Sequence, residues 1–221
     1  MFSSRVADLL EAPDAKLVIE RAQAILNDES QRRREFREWL RDDVKAEFIN
    51  GTVVMHSPVK RRHLEASKYL VNLLQNYVAI HNLGEVDFEK ALVALSRNDY
   101  EPDICYWNKE IAASFHDDQM EHPAPDLIVE ILSRTTTGRD RGIKFEDYAA
   151  HGVREYWMID PVRQSLEQYK LDEDVMAFEE VAVLFREDTL ESLTIPGFRI
   201  PVRAIFDKAV NMLTLQELIT R

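Results

Sequence analysis

Two carboxylates stand out for the residues around them. Glu130 lies inside DLIVEIL, a run that is otherwise almost wholly apolar, and Asp103 opens DICYW directly after Glu101-Pro102. A continuous apolar run suits a strand covered on both faces, where a carboxylate is costly unless it is partnered. If the two strands are neighbours in a sheet, the carboxylates meet and form an oxygen-donor site suited to magnesium or manganese. An ion of that kind can activate water and stabilise charge developing on a phosphodiester. Lys144, on the helix after the Glu130 strand, can add a positive charge that orients the water or stabilises the transition state. Glu47, just before the Asn50-Gly51 bend, can complete the metal site from an earlier element.

Each residue also has an ordinary reading. Asp103 after a proline can simply begin a strand, and Glu130 can be the buried partner of an arginine. Lys144, four residues after Asp140, can be a salt-bridged lysine on a helix surface. Asp126 reads as part of the turn into its strand. Basic residues gather in two places, Lys60, Arg61, Arg62 and Lys68, and then Arg134, Arg139, Arg141 and Lys144. Arg61, Arg62, His63 and Arg139 are the candidates for contact with nucleic acid. Either cluster can equally be a solvated helix face, and His63 a plain helix residue.

The elements that must position these groups follow from periodicity and turn residues. Ala12 to Leu40 reads as helical, with a break at Asp28 to Gln31 where Ser30 can cap a second helix. Asn50-Gly51 between apolar runs marks a hairpin or sharp bend. Pro58 opens a helical stretch to His81, with Leu64, Ser67, Leu70, Val71 and Leu74 at three- and four-residue steps. EVDFEKALVAL, DICYW and DLIVEIL read as strands, followed by a helix from about Arg139 to Ala150 that His151-Gly152 ends. EYWMID is a further strand. SLEQYKL, AFEEVAVL and TLESLTIPGFRI read as antiparallel structure, and a short helix follows Thr214. The fold class is α/β with a mixed sheet, divided into an N-terminal helical extension, 1–43, and a main domain, 44–221.

Composition sets the outer bounds. A chain of 221 residues, 45% hydrophobic, can bury one sizeable core. MFSSRVADLL lacks a continuous apolar run, so it does not read as a signal peptide. No stretch approaches the roughly 18 apolar residues of a membrane span. One cysteine, Cys105, excludes an internal disulfide framework, there is no Cys/His cluster for zinc, and a cytoplasmic protein that avoids membranes is expected. The net charge of -12 runs against the basic face that usually grips phosphates.

The order EFINGTVVMHSP, His63, EPDICYW, PDLIVEILSRTT, Lys144 with Tyr148, and GVREYWMIDP resembles the Uma-type family of restriction-endonuclease-like proteins, a branch of the PD-(D/E)XK superfamily. The likeness spans about Val44 to Phe198. It implies a mixed sheet flanked by helices and a magnesium- or manganese-dependent endonuclease acting on nucleic acid, DNA rather than RNA, with a homodimer as the assembly. It makes Asp103 the "PD" aspartate and Glu130 the (D/E)XK glutamate. The lysine position two after Glu130 is Leu132, so the resemblance assigns that role to Lys144 on the next helix. Where the family commonly continues with Ser-Pro, this chain has Ser133-Arg134. Two other functions fit the residues: a nuclease fold turned binding or regulatory module, which the charge and Leu132 favour, and a hydrolase of small phosphodiesters.

Overall fold

The computed structural model describes residues 2–41 and 43–220. Helices α1 (Phe2–Glu11) and α2 (Ala15–Trp39) precede strands β1 (Ala46–Ile49) and β2 (Thr52–Met55). Helix α3 (Arg61–His81) leads to β3 (Gly84–Phe88), β4 (Leu92–Ala94), β5 (Asp99–Tyr100) and β6 (Ile104–Asn108). There follow α4 (Lys109–Ala112), β7 (Glu121–His122), β8 (Leu127–Ile131), α5 (Thr137–Asp140) and α6 (Ile143–Ala150). Strands β9 (Glu155–Asp160), β10 (Ser165–Asp172), β11 (Ala177–Phe185), β12 (Thr189–Glu191) and β13 (Arg199–Pro201) come next, and α7 (Lys208–Thr220) is last. The chain divides into two compact units, 1–56 with 96–100, and 57–95 with 101–221.

In the first unit, β1 and β2 pair antiparallel with Ile49 opposite Thr52. The two-residue turn between them places Asn50 at φ 48° and Gly51 at φ 76°, the left-handed pair that a tight hairpin needs. Phe36 of α2 packs on Ala46 and Phe48. Asp99 of β5 is buried and accepts paired bonds from Arg33 (2.8 and 2.6 Å) and Arg37 (3.0 and 2.7 Å). Burial pushes the Asp99 carboxyl up, but the two guanidiniums outweigh it and hold the group below the usual carboxylate range.

The expected break at Asp28 to Gln31 does not occur. Helix α2 runs through it because the Ser30 hydroxyl bonds back to the Leu26 carbonyl, while Arg32 ties to Asp28 and Gln31 to Glu35. The interruption comes earlier, at Ala12 to Asp14, where Pro13 cannot continue a helix.

The second unit holds a six-stranded sheet in the order β11-β10-β9-β8-β6-β3. Only β8 and β9 pair in parallel, so the sheet is mixed. One face carries Val86, Ile104, Tyr106, Leu127, Val129, Ile131, Trp157 and Ile159, packed with Leu70, Leu74 and Leu218 from α3 and α7 in the main core. On the other face α6 lays Phe145 against Tyr156, Tyr169 and Phe178 and Tyr148 against Tyr156. Fully burying one large apolar side chain stabilises by about 1.5–3 kcal/mol, and both faces are lined with such side chains.

Three boundaries depart from the sequence reading. EVDFEKALVAL forms two strands, β3 and β4, separated by Glu89 at φ 63°. The helix placed at Arg139 to Ala150 is two helices that meet at Gly142, where a Cβ would come within 2.8 Å of the Gly138 carbonyl oxygen. The last helix begins at Lys208 rather than after Thr214, because Asp207 Oδ1 accepts from the Ala209 and Val210 amides and starts it.

Candidate active site

Strands β6 and β8 run antiparallel with Ile104 opposite Val129. Continuing that register one residue past the Ile104–Val129 pair sets Asp103 against Glu130. Both are buried, Asp103 at 7% and Glu130 at 5% exposure. The Asp103 carboxylate is tied across the strands, its Oδ2 accepting the Ile131 amide at 2.8 Å. Glu130 alternates onto the face it shares with Cys105, Ile128 and Tyr156.

Helix α6 supplies the groups that meet Glu130. Lys144 Nζ lies 2.9 Å from Glu130 Oε1, and the Tyr148 hydroxyl donates to the same oxygen at 2.9 Å. Lys144 and Tyr148 are four residues apart, one helical turn on one face. Lys144 is 1% exposed, so the surface-lysine reading does not hold. Asp140, also buried, stands 3.7 Å from Nζ, and its backbone carbonyl accepts from the Tyr156 hydroxyl at 3.2 Å.

The field of these carboxylates reaches their neighbours. Burial pushes the Tyr156 phenol well up, and Glu130, Asp140 and Asp103 push it the same way. The Cys105 thiol is raised well above its usual range by burial, then by Glu130 and Asp87, with Lys144 opposing.

The other candidate residues have surroundings of their own. Glu47 belongs to the first unit, where it is fully buried with Oε2 3.2 Å from His56 Nε2. Arg61 and Arg62 are exposed at the start of α3, Arg61 bridging to Glu65 at 2.8 Å. Arg139 is half-buried on α5. His63 is buried at 8% exposure, with Nε2 3.3 Å from Asp103 Oδ2, so it does not share the exposed surface of Arg61 and Arg62. Asp126 anchors the strand end, accepting the Asn108 amide at 2.6 Å and pairing with Arg154 at 2.7 Å. The second basic cluster is dispersed: Arg141 bridges to Glu167 at 2.5 Å, and Lys144 turns inward. Tyr148 and His63 both stand in the motif order, but the Tyr148 hydrogen bond to Glu130 and the approach of the His63 ring to Asp103 are the contacts least visible in the sequence. The four-residue step from Lys144 to Tyr148 is the one signal that could have found the first.

Among the described residues, no three His, Cys, Asp or Glu side chains gather as a complete ligand set. A pair of carboxylates is nonetheless what magnesium typically takes from a protein, the rest of its sphere being water and substrate oxygens. The oxygen-only donors fit magnesium or manganese better than zinc, which favours sulfur and imidazole.

A family model described as "Uma2: Putative restriction endonuclease" matches residues 33–203. A solved structure described as a "putative nuclease belonging to DUF820", from Anabaena variabilis ATCC 29413, has a similar fold. The likeness has a TM-score of 0.65 and 17% sequence identity, and covers 78% of this chain and 95% of that one. No curated protein gives a significant match. No helix among the described residues is long and apolar enough to cross a membrane.

Proposed function

Because the chain belongs to the Uma2 family of restriction-endonuclease-like proteins, we propose that it is a metal-dependent endonuclease hydrolysing phosphodiester bonds in nucleic acid, with DNA as the preferred substrate. The observation that carries this reading is Lys144, an ammonium buried against Glu130 beside the end of the β6–β8 ladder that brings in Asp103. A scaffold gains little from that arrangement, since burying an ion pair costs about as much as the pair returns.

Asp103 and Glu130 would hold magnesium or manganese. When bound, such an ion supplies Lewis acidity, activating a water and neutralising charge on the phosphoryl oxygens. Glu130 also fixes Lys144, and an ammonium carries three N–H donors. With one directed at Glu130 Oε1, Lys144 can direct another at the attacking water, orienting its lone pair and stabilising the developing negative charge. Tyr148 holds Glu130 from the same helix and limits its rotation. Arg61, Arg62 and Arg139 are assigned to the phosphate backbone.

The test is cleavage of single- and double-stranded DNA and RNA with magnesium, manganese, calcium or a chelator, run beside Glu130→Ala. Cutting that needs magnesium or manganese and disappears in the variant is the expected result. No cutting under any condition, with no metal binding by calorimetry, would point instead to a non-catalytic nuclease-fold module, the reading favoured by the net charge of -12 and by Leu132 at the motif lysine position.

A further inference from the structure

His63 is a buried polar group that the mechanism above leaves without a task. It is the third residue of α3, and while Arg61 and Arg62 face water, its ring turns inward. Nine-tenths of the side chain is buried, and Nε2 reaches Asp103 Oδ2 at 3.3 Å. The other ring nitrogen, Nδ1, is buried and has no hydrogen-bond partner within the protein.

Those contacts select the tautomer. A proton on Nδ1 would leave a buried donor unsatisfied and set the Nε2 lone pair against a carboxylate oxygen. A proton on Nε2 instead turns the positive end of the ring's N–H dipole toward the Asp103 carboxylate, 3.3 Å away. Oδ2 then has two N–H groups about it from separate elements: it accepts the Ile131 amide of β8 at 2.8 Å and stands 3.3 Å from His63 Nε2 of α3. One hydrogen bond and a close imidazole N–H on the same oxygen together restrain a carboxylate that would otherwise rotate about its terminal bond.

We infer that His63 is a positioning residue for Asp103, holding the Oδ2 edge of the carboxylate so that a divalent cation meets a ligand already oriented. The inference rests on the metal-dependent reading of the site. His63 is not assigned as a ligand, because in this tautomer the nitrogen facing Asp103 carries a proton and offers no lone pair to a cation there. Its burial also removes it from the phosphate contacts of its neighbours. Groups that orient a metal ligand through a hydrogen bond typically contribute about 10–100-fold to metal affinity.

The experiment is calorimetric titration of the full chain with Mn2+ in the absence of nucleic acid, paired with the Mn2+ dependence of cleavage. Leucine at position 63 fills similar space without a donor, whereas the glutamine amide can stand in for Nε2. His63→Leu is expected to weaken Mn2+ binding by about 10–100-fold, with the cleavage rate recovering at saturating Mn2+. His63→Gln is expected to stay within a few-fold of the parent on both measures. His63→Met replaces the leucine variant if that protein does not fold.

Equal Mn2+ affinity in the apolar variant and the parent would overturn the inference. So would equal weakening in the apolar and glutamine variants, which would make the ring a space-filler. A rate that stays low at saturating Mn2+ would overturn it in favour of a catalytic role. Asp103→Asn separates the two levels of the argument. If Asp103→Asn abolishes Mn2+ binding and cutting while the His63 variants behave like the parent, the role of His63 fails alone. If Asp103→Asn itself binds Mn2+ and cuts normally, the metal-site reading fails.

Discussion

Glu155 and Glu130 lie on neighbouring strands of one sheet, are both buried, and face opposite ways. Glu155 stands opposite Leu127 and turns with it toward the main core. Its Oε1 accepts from Trp157 Nε1 (2.7 Å) and Gln168 (2.7 Å), and its Oε2 from the Ser192 hydroxyl (2.8 Å), the Leu193 amide (3.0 Å), and the amide and hydroxyl of Thr194 (3.0 and 2.7 Å). All of these donors are neutral and most come from one loop, so the carboxylate pins residues 192–194 to β9. Glu130, in contrast, meets a cation and a phenol presented by one turn of helix, one strand away from Asp103. The difference is between a carboxylate whose task is to organise backbone and one set beside charge that can be used. Burial alone therefore does not single out a candidate catalytic acid; the chemistry of its donors is the sharper guide.

Substitutions at the two glutamates put this contrast at risk. Glu130→Gln is expected to lower cleavage on the order of 10³-fold with the fold retained, measured as single-turnover rates at saturating Mn2+. Removing the cation with Lys144→Met leaves Glu130 without its charge partner and should cost about 3–5 kcal/mol of stability, read from urea unfolding. Glu155→Gln turns an N–H2 toward donors and should cost about 1–3 kcal/mol while the folded protein keeps its cleavage rate. A large loss of rate in Glu155→Gln without loss of stability would erase the contrast. Tyr148→Phe removes one neutral hydrogen bond and should cost about 1 kcal/mol.

Asp99 sharpens the comparison from the charged side, since two guanidiniums surround it. Its folded pKa is lowered, so its stabilising contribution is fully present above the unfolded value near 3.9 and is lost as pH falls through the lower folded value. Unfolding midpoints followed from pH 5 downward should show this acid loss in the parent and less of it in Asp99→Asn.

Several residues of the candidate site could be singled out before any fold was known, because their signals are local. Asn50-Gly51 demands a left-handed turn whatever surrounds it, and a glutamate inside DLIVEIL is conspicuous at once. The hub at Glu155 was invisible because its partners stand 37 to 39 residues away on the loop and 13 away on β10. Lys144 and His63 were ambiguous for a related reason. Their helices present both polar and apolar faces, and which face turns inward is settled by what packs there, not by the residue itself. The false break at Ser30 has a local cause: a serine can cap a new helix or bond back within an existing one, and the i,i+4 side-chain pairs around it chose the second.

Cys105 lies two residues from Asp103, in a strand held on both sides by β3 and β8, and is the chain's single cysteine. With its thiol buried and the thiolate disfavoured, it is chemically silent in the native state. The protein thus carries its own clock for the site: the rate at which a thiol reagent labels it reports how often β6 breathes free of its neighbours. Any ligand that braces the Asp103 end of that strand should slow the clock, whether or not a substrate is cut.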